Sequence, residues 1–162
     1  MAAQPSGRLS WNLADLSRVL RVSEADVREY FTDGRRISFL IERRLAREVV
    51  VGGSLAASEG AGFDLLDGLG RKWEVRSISA GGIYFCPSYM VGSGRVFVEL
   101  GFLEKLSEIE GYIVSDIDAF PDVPFWLLPK TVVEDWYRTG KLGAGTKVSR
   151  ARALALLNTW SP

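Results

Sequence analysis

Two acids ten positions apart, Asp64 and Glu74, are the residues in this sequence best placed to do chemistry together. Residues 63–66 and 72–78 alternate in the manner of two β-strands, and the glycine-containing segment between them is typical of a turn. Such a hairpin would bring the two carboxylates close together on neighbouring strands. Mg²⁺ binds proteins through a few oxygen ligands, and water and substrate phosphate complete its octahedron. The pair therefore indicates a Mg²⁺ site suited to hydrolysis of a phosphodiester.

Two cations share the second strand with Glu74. Because side chains alternate along a strand, Lys72, Glu74 and Arg76 lie on one face. A cation beside a bound metal can orient the attacking water or support the pentavalent phosphate of the transition state. The same residues would equally suit a solvated hairpin with a cross-strand ion pair, and their spacing alone does not decide between the two interpretations.

Composition excludes several other kinds of chemistry. The sequence has no histidine, so His-based triads, His metal sites and imidazole bases are excluded. Its single cysteine, Cys86, excludes an intramolecular disulfide and has no neighbours with zinc-ligand spacing. The 20 Lys and Arg balance the 20 Asp and Glu, so any nucleic-acid site must be a local basic patch. Chemistry would have to depend on carboxylates, Lys, Arg, Ser or Tyr.

Length and hydropathy predict a single domain over residues 1–162. No segment approaches the roughly 20 apolar residues that a membrane span needs, and the first residues lack the apolar core of a signal peptide. We therefore expect a cytoplasmic protein that does not associate with membranes.

The elements that must position the acid pair fall into two parts. Residues 1–50 are predicted to be helical: apolar residues recur at helical spacing near 13–20 and 35–50, and Ser23 with Asp26 forms a capping-box pattern that begins a second helix. From Phe63 onward the period changes to two. Beyond the hairpin we predict strands near residues 83–90, 112–117 and 125–128, with helices near 102–109, 130–137 and 150–157. Helices packed on a mixed sheet predict an α/β or α+β fold.

The segment from Phe63 to Ile78 resembles the active-site hairpin of the PD-(D/E)XK superfamily, and most of all that of its small PvuII-like type II restriction endonucleases. The resemblance is closest over this hairpin and extends to the following strand and to residues 125–137. The N-terminal helices match only by role. The resemblance implies a mixed central sheet flanked by helices, with the catalytic and DNA-recognition core in residues 63–162. It also implies that residues 1–50 support a homodimer.

In this family the corresponding residues bind the metal. The resemblance implies that Asp64 and Glu74 are metal ligands, that the backbone carbonyl of Val75 is a third, and that Glu42 is the helical acid which many members add. An exposed helical ion-pair partner is an equally good interpretation of Glu42.

Residue 76 departs from the family pattern. Arg76 stands where the family has its catalytic lysine, and an arginine cannot lose its proton to act as a base. Three outcomes are open: Arg76 positions water or phosphate, Lys72 substitutes for the missing amine, or the enzyme is weak or inactive.

Two further groups of residues are candidates for contact with DNA. The segment after the hairpin resembles the part of the family that reads bases in the major groove, although an ordinary strand with a glycine-rich turn would suit it as well. A second, basic group precedes the last predicted helix and would suit either phosphate contacts or a solvated surface. The candidates are Ser88, Tyr89, Ser93 and Arg95 in the first group, and Lys141, Lys147, Arg150 and Arg152 in the second.

The function expected from these features is that of a type II restriction endonuclease. It would be a Mg²⁺-dependent homodimer, without a nucleotide cofactor, that cuts double-stranded DNA at a short palindrome. A repair nuclease or junction resolvase of the same superfamily is an alternative. A non-cleaving DNA-binding regulator is another, because residues 16–28 resemble a helix-turn-helix, although Glu24, Asp26 and Glu29 would face phosphate unfavourably.

Overall fold

The computed structural model describes residues 4–58 and 60–160. The helices of these residues are α1 (Leu13–Leu20), α2 (Glu24–Phe31), α3 (Gly34–Glu48), α4 (Glu99–Glu108), α5 (Lys130–Arg138) and α6 (Arg150–Thr159). The strands are β1 (Gly7–Ser10), β2 (Ser54–Leu55), β3 (Leu65–Leu66), β4 (Lys72–Ile78), β5 (Ile83–Tyr84), β6 (Gly111–Asp116), β7 (Asp122–Pro129) and β8 (Lys147–Val148).

Six of these strands form one mixed sheet in the order β1-β7-β6-β4-β3-β2. β4 and β6 lie side by side and run parallel, so that Glu74 is in register with Tyr112, and the other neighbouring strands are antiparallel. A parallel pair needs a crossover connection, and α4 lies in the segment that connects these two strands. The predicted α/β (α+β) fold class, a mixed sheet with helices, is confirmed.

The sheet separates two hydrophobic cores. On one face, apolar residues of α2 and α3, such as Val27 and Ile41, pack against Val75 and Ile113. On the other face, residues of α4, α5 and α6 pack against Tyr112 and its neighbours. Because alternate residues of a strand point to opposite faces, consecutive residues of β6 contribute to different cores. The acidic hairpin strand β4 is therefore held from both sides.

The N-terminal part contains the helices expected from its sequence and one strand that was not predicted. The Ser23 and Asp26 capping box is present at the start of α2. β1, which precedes these helices, pairs antiparallel with β7 at the edge of the sheet. Its four residues are too few to show a clear alternation, so their pairing depends on a partner more than one hundred residues away.

The prediction of a strand over residues 83–90 is wrong beyond its first two residues. β5 forms a small separate sheet with β8, and residues 88–90 form a 3₁₀ turn. Gly82 makes this pairing possible, because a Cβ at this position would lie 2.1 Å from the carbonyl oxygen of Val148. Pro87 has no N–H to donate to a strand, and the segment turns there.

Within residues 4–58 and 60–160, no helix is both long enough and apolar enough to cross a membrane.

Candidate functional site

The predicted hairpin between Asp64 and Glu74 is present. β3 pairs antiparallel with β4, and the N–H of Asp64 donates to the carbonyl of Trp73 at 3.0 Å. The turn between the strands is held by Asp67, whose carboxylate accepts the backbone N–H groups of Leu69 and Arg71 at 2.9 and 3.0 Å. Although burial alone raises it, these hydrogen bonds hold the pKa of Asp67 well below its usual value. The hairpin is thus fixed at both ends of its loop.

Asp64 reaches the edge of β4 beyond the paired residues. Its Oδ2 accepts the N–H of Val75 at 2.7 Å. The N–H and carbonyl of one residue in a strand point to the same side, so the carbonyl of Val75 faces this edge as well. The side chain of Asp64 and the backbone carbonyl of Val75, two of the predicted metal ligands, therefore lie at one edge of the strand.

Glu74 is buried and contacts two cations. Only 5% of the residue is exposed. Its Oε1 lies 2.6 Å from Nη2 of Arg76, and its Oε2 lies 2.5 Å from Nζ of Lys105. The contact with Lys105 is an ion pair without well-directed hydrogen-bond geometry, so Oε2 has no hydrogen-bond donor among the described residues. Both oxygens of a buried carboxylate are balanced by charge.

Arg76 bridges several acceptors. In addition to its ion pair with Glu74, its guanidinium donates to the carbonyl of Val75 at 3.1 Å and to that of Cys86 at 3.3 Å. Its side chain is 17% exposed. The residue at the lysine position of the resembling family therefore holds two of the predicted metal-binding groups.

Lys105 is a site residue that sequence analysis missed. It lies on α4, contacts Glu74, and also donates to the carbonyl of Gly62. A signal was present in the sequence: Lys105 follows Phe102 by three residues and so falls on the apolar stripe of its helix. A lysine at such a position needs an acidic partner, but the identity of that partner depends on the crossover that places α4 over β4.

Lys72 contacts the ring of Phe63 at this site. Its Nζ lies over the ring of Phe63, 5.4 Å from the centroid, and it forms no ion pair with Glu74. Lys72 and Glu74 share a face of β4, but the cations that pair with Glu74 are Arg76 and Lys105. The prediction of Lys72 as a catalytic alternative is not supported by its position.

Glu42 projects from α3 towards the same acids. Burial contributes most to the change in its pKa, and the charge of Asp64 contributes next, so that the pKa rises to about 7. The charge of Glu74 raises it further, whereas Arg43 and Arg76 oppose the rise. Glu42 also lines the same cleft as Asp64, Val75 and Arg76.

The pKa of Asp64 is also raised, first by burial and then by the negative charge of Glu74. The hydrogen bond from Val75 and the charges of Arg76 and Lys105 oppose this rise. Burial is the largest cause of the raised pKa at both Glu42 and Asp64, and repulsion between the carboxyl groups adds to it.

Two clefts meet at Asp64. The larger has a volume of about 910 Å³ and is lined by Glu42, Arg76 and the start of α3 on one side and by Tyr84 and Lys147 on the other. The smaller, of about 430 Å³, is lined by Glu74, Lys105 and Tyr89. The acidic edge of β4 is thus accessible from two directions.

The predicted base-reading residues lie in one exposed loop beside these clefts. Ser88 lines both clefts and Tyr89, which is 64% exposed, lines the smaller one. Ser93 is exposed in the following turn. Arg95 donates to the carbonyls of Ser88 and Val91 at 2.8 and 3.1 Å, so its guanidinium holds the loop itself.

The predicted basic residues before and at the start of α6 differ in how exposed they are and in what they contact. Lys147 is exposed on the large cleft, over the ring of Tyr84. Arg150 instead donates to both carboxylate oxygens of the buried Asp116, at 3.1 and 2.7 Å.

The other two members of that set also have protein partners. Lys141 pairs with Asp135 at 3.3 Å, and Arg152 donates to the carbonyl of Lys141 at 2.8 Å. The short spacing of these four cations in sequence did not reveal that most of them bind acceptors within the fold.

The donor set fits Mg²⁺ only in part. Within residues 4–58 and 60–160, no group of three or more His, Cys, Asp and Glu side chains is arranged to hold a metal. Asp64, Glu74 and the carbonyl of Val75 give two carboxylates and one carbonyl, which is the small, hard oxygen set that Mg²⁺ accepts when water and phosphate complete its shell. Glu42 lies nearby without joining these groups as a ligand set.

No family model matches this chain, and no curated protein matches its sequence. Function is therefore inferred from the site itself.

Proposed function

We propose that this chain is a Mg²⁺-dependent nuclease that hydrolyses phosphodiester bonds in double-stranded DNA, as a type II restriction endonuclease does. The observation that supports this most is the edge of β4, where Asp64 contacts Val75 and lies within electrostatic reach of Glu74 and Glu42. Two cations accompany the acids, and a cleft opens onto them.

Asp64, Glu74 and the carbonyl of Val75 would hold the metal, which would activate a water and neutralise charge on the phosphate oxygens. The residues of the chain would supply the rest. Lys105, fixed on Glu74 by its ion pair, would give the site the positive charge that the strand lysine gives elsewhere in the resembling family. Arg76 would bind a phosphate oxygen and would not act as a general base, because a guanidinium stays protonated at neutral pH.

The large cleft supports a polyanionic substrate. Arg35, Arg76 and Lys147 are among its lining residues, although the whole chain has a net charge of zero. The same lining also holds Asp33, Glu42 and Asp64, so its charges are mixed, and a bound divalent metal would leave the cations in excess for contact with phosphates. A short palindromic site and a homodimer follow from the resemblance, since two single-site subunits related by a two-fold axis can cut both strands. Such a restriction function would place the protein in the cytoplasm.

Cleavage of plasmid DNA in the presence of Mg²⁺ tests this proposal. The wild type should give discrete fragments, and EDTA should abolish them. Asp64→Asn should abolish cutting while DNA binding, measured by gel retardation, persists. Glu134→Gln removes the same charge from α5, far in sequence from the hairpin, and should cut like the wild type. Cutting by Asp64→Asn at the wild-type rate would show that the assigned site is wrong.

A non-cleaving DNA-binding regulator is the second candidate, and two observations favour it. Both oxygens of Glu74 are neutralised by side-chain cations, as expected of a site that has lost its metal. α1 and α2 also meet at Arg21, which has a left-handed backbone with a φ of 56°, the kind of turn that joins the helices of a helix-turn-helix. Retarded but uncut DNA would support this function, and structure-selective cutting would support a repair nuclease or junction resolvase.

A further inference from the structure

Arg76 occupies the groups that a metal would need. Its guanidinium lies 2.6 Å from Oε1 of Glu74 and donates to the carbonyl of Val75 at 3.1 Å. Mg²⁺ binds its oxygen ligands at about 2.0–2.1 Å. An ion at that distance from both oxygens would overlap the guanidinium that bridges them and would be repelled by its charge. Arg76 and a metal therefore compete for the same two oxygens.

Of the two cations on Glu74, Arg76 is the one that a metal would displace. Lys105 contacts Oε2 and the carbonyl of Gly62, and it does not touch Val75. Arg76 also lines the large cleft, whereas Lys105 lines the small one. A guanidinium that leaves Glu74 thus has space in the large cleft, which is also lined by the cations Arg35 and Lys147.

We propose that Arg76 is a phosphate-binding residue that rests on the metal ligands in the free protein and moves into the large cleft when DNA phosphate and a divalent metal bind together. The inference rests on the proposed function, because it takes Asp64, Glu74 and Val75 as the metal-binding groups. A guanidinium matches a phosphate through two parallel hydrogen bonds, so DNA offers Arg76 a partner as good as the one it leaves.

The consequence is thermodynamic coupling between metal and substrate. A metal that binds the free protein must break the contacts of Arg76 without replacement, whereas in the DNA complex a phosphate is present to pair with Arg76 as the metal takes its place. By linkage, DNA raises the affinity for metal and metal raises the affinity for DNA by the same factor. The site would stay closed to metal until substrate arrives.

Binding of Mn²⁺ to the purified protein, followed by the loss of the free-ion electron paramagnetic resonance signal, tests this coupling. Without DNA, Arg76→Met should bind Mn²⁺ roughly tenfold more tightly than the wild type. Arg138→Met removes the same charge from the surface of α5 and should leave the Mn²⁺ affinity unchanged. A 30-bp mixed-sequence duplex, with Asp64→Asn as the blank for ions bound by the DNA itself, should tighten Mn²⁺ binding to the wild type by roughly tenfold and to Arg76→Met by much less.

Each outcome decides a different point. Equal or weaker Mn²⁺ binding by Arg76→Met, in a protein that circular dichroism shows to be folded, overturns the coupling even if the wild type cuts DNA. If the variant does not fold, the wild type alone gives the answer, because an affinity for Mn²⁺ that the duplex leaves unchanged overturns the coupling as well. If neither protein binds more Mn²⁺ than Asp64→Asn under any condition, both the coupling and the proposed metal site are wrong.

Discussion

At Glu42 the fold holds a carboxyl group beside two others, and this gives the protein a pH dependence that can be measured. The pKa of Glu42 rises to about 7 from an ordinary value of 4.5, through burial first and the charge of Asp64 next. A carboxyl that binds its proton more tightly in the folded chain than in the unfolded chain lowers stability as pH rises between the two pKa values. In EDTA, the free energy of unfolding should therefore fall between about pH 4.5 and pH 7 and change little from this group above that.

Glu42→Gln should remove part of this loss. We expect the variant to match the wild type near pH 4.5 and to exceed its stability at pH 8 by on the order of 1 kcal/mol, after allowance for solvent screening of a partly exposed group. The pKa of Asp64 is also raised, so the free energy of unfolding of the variant should still fall with pH, but less steeply than that of the wild type. Urea unfolding at several pH values measures the effect. A variant less stable than the wild type at pH 8 would mean that Glu42 makes a favourable ionised contact instead.

The charge of Lys105 beside Glu74 should contribute to DNA cleavage. Lys105→Met removes one of the two cations on buried Glu74, so DNA cleavage should fall by about 10²–10³-fold, the range seen when one preorganised electrostatic contact to a transition state is lost. Lys105→Arg should recover part of kcat because it restores the charge. Lys72→Met, which removes a cation that stacks on Phe63, should have a much smaller effect. Wild-type cleavage by Lys105→Met would exclude Lys105 from the site.

The acids of this site were predictable from sequence, and the cations were predictable only in part. Asp64 and Glu74 lie on one hairpin, so local alternation and a turn signal were enough to bring them together. Lys105 reaches Glu74 from a helix thirty-one positions away, through a contact that only the packing of α4 on the sheet defines. Local patterns do not carry that information.

At the scale of elements, α6 is held to the sheet by an ion pair of Arg150, a residue that in sequence suited either a phosphate contact or a solvated surface. Arg150 binds both oxygens of Asp116, whose side chain is 4% exposed, and also lies 3.4 Å from Asp118. Arg150→Ala leaves a buried carboxylate without its partner, which costs about 3 kcal/mol in comparable pairs. Thermal unfolding should show this loss.

The control for this prediction is Arg152→Ala, which removes a contact to the carbonyl of Lys141 on the surface and should cost about 1 kcal/mol. DNA affinity of the folded Arg150→Ala variant should equal that of the wild type. A variant of normal stability with weakened DNA binding would restore Arg150 to the DNA-contacting residues.

Long, strongly periodic elements were predicted well and short ones poorly. Residues 72–78 were predicted as a strand and form β4, and α5 and α6 begin at the predicted residues. β5 has two residues and depends on pairing with β8, more than sixty positions later. A strand so short has no period of its own, so its existence follows from tertiary contacts.

For the whole molecule, the class of fold followed from the change of period at Phe63, but the order of the strands did not. Sequence patterns do not specify that β1 joins the far edge of the sheet or that β4 and β6 run parallel. These features depend on which apolar faces bury one another, and both cores contain residues from distant parts of the chain.

Oligomeric state is the last prediction, and it belongs to the whole molecule because each chain offers one candidate metal site to a duplex with two strands. A homodimer that cuts both strands in one binding event converts supercoiled plasmid directly to the linear form, whereas a monomer accumulates nicked circles. On α1, Val19 is 68% and Leu20 52% exposed, and the helix buries no residue, which suits a surface covered by a second copy. We therefore expect the wild type to sediment at about twice the 17.9 kDa of one chain.

Leu20→Glu should sediment as one chain and give nicked plasmid first, while Val51→Glu, at another exposed apolar position, should behave like the wild type. A wild type that sediments as one chain at cutting concentrations and still linearises plasmid in one step would contradict the dimer.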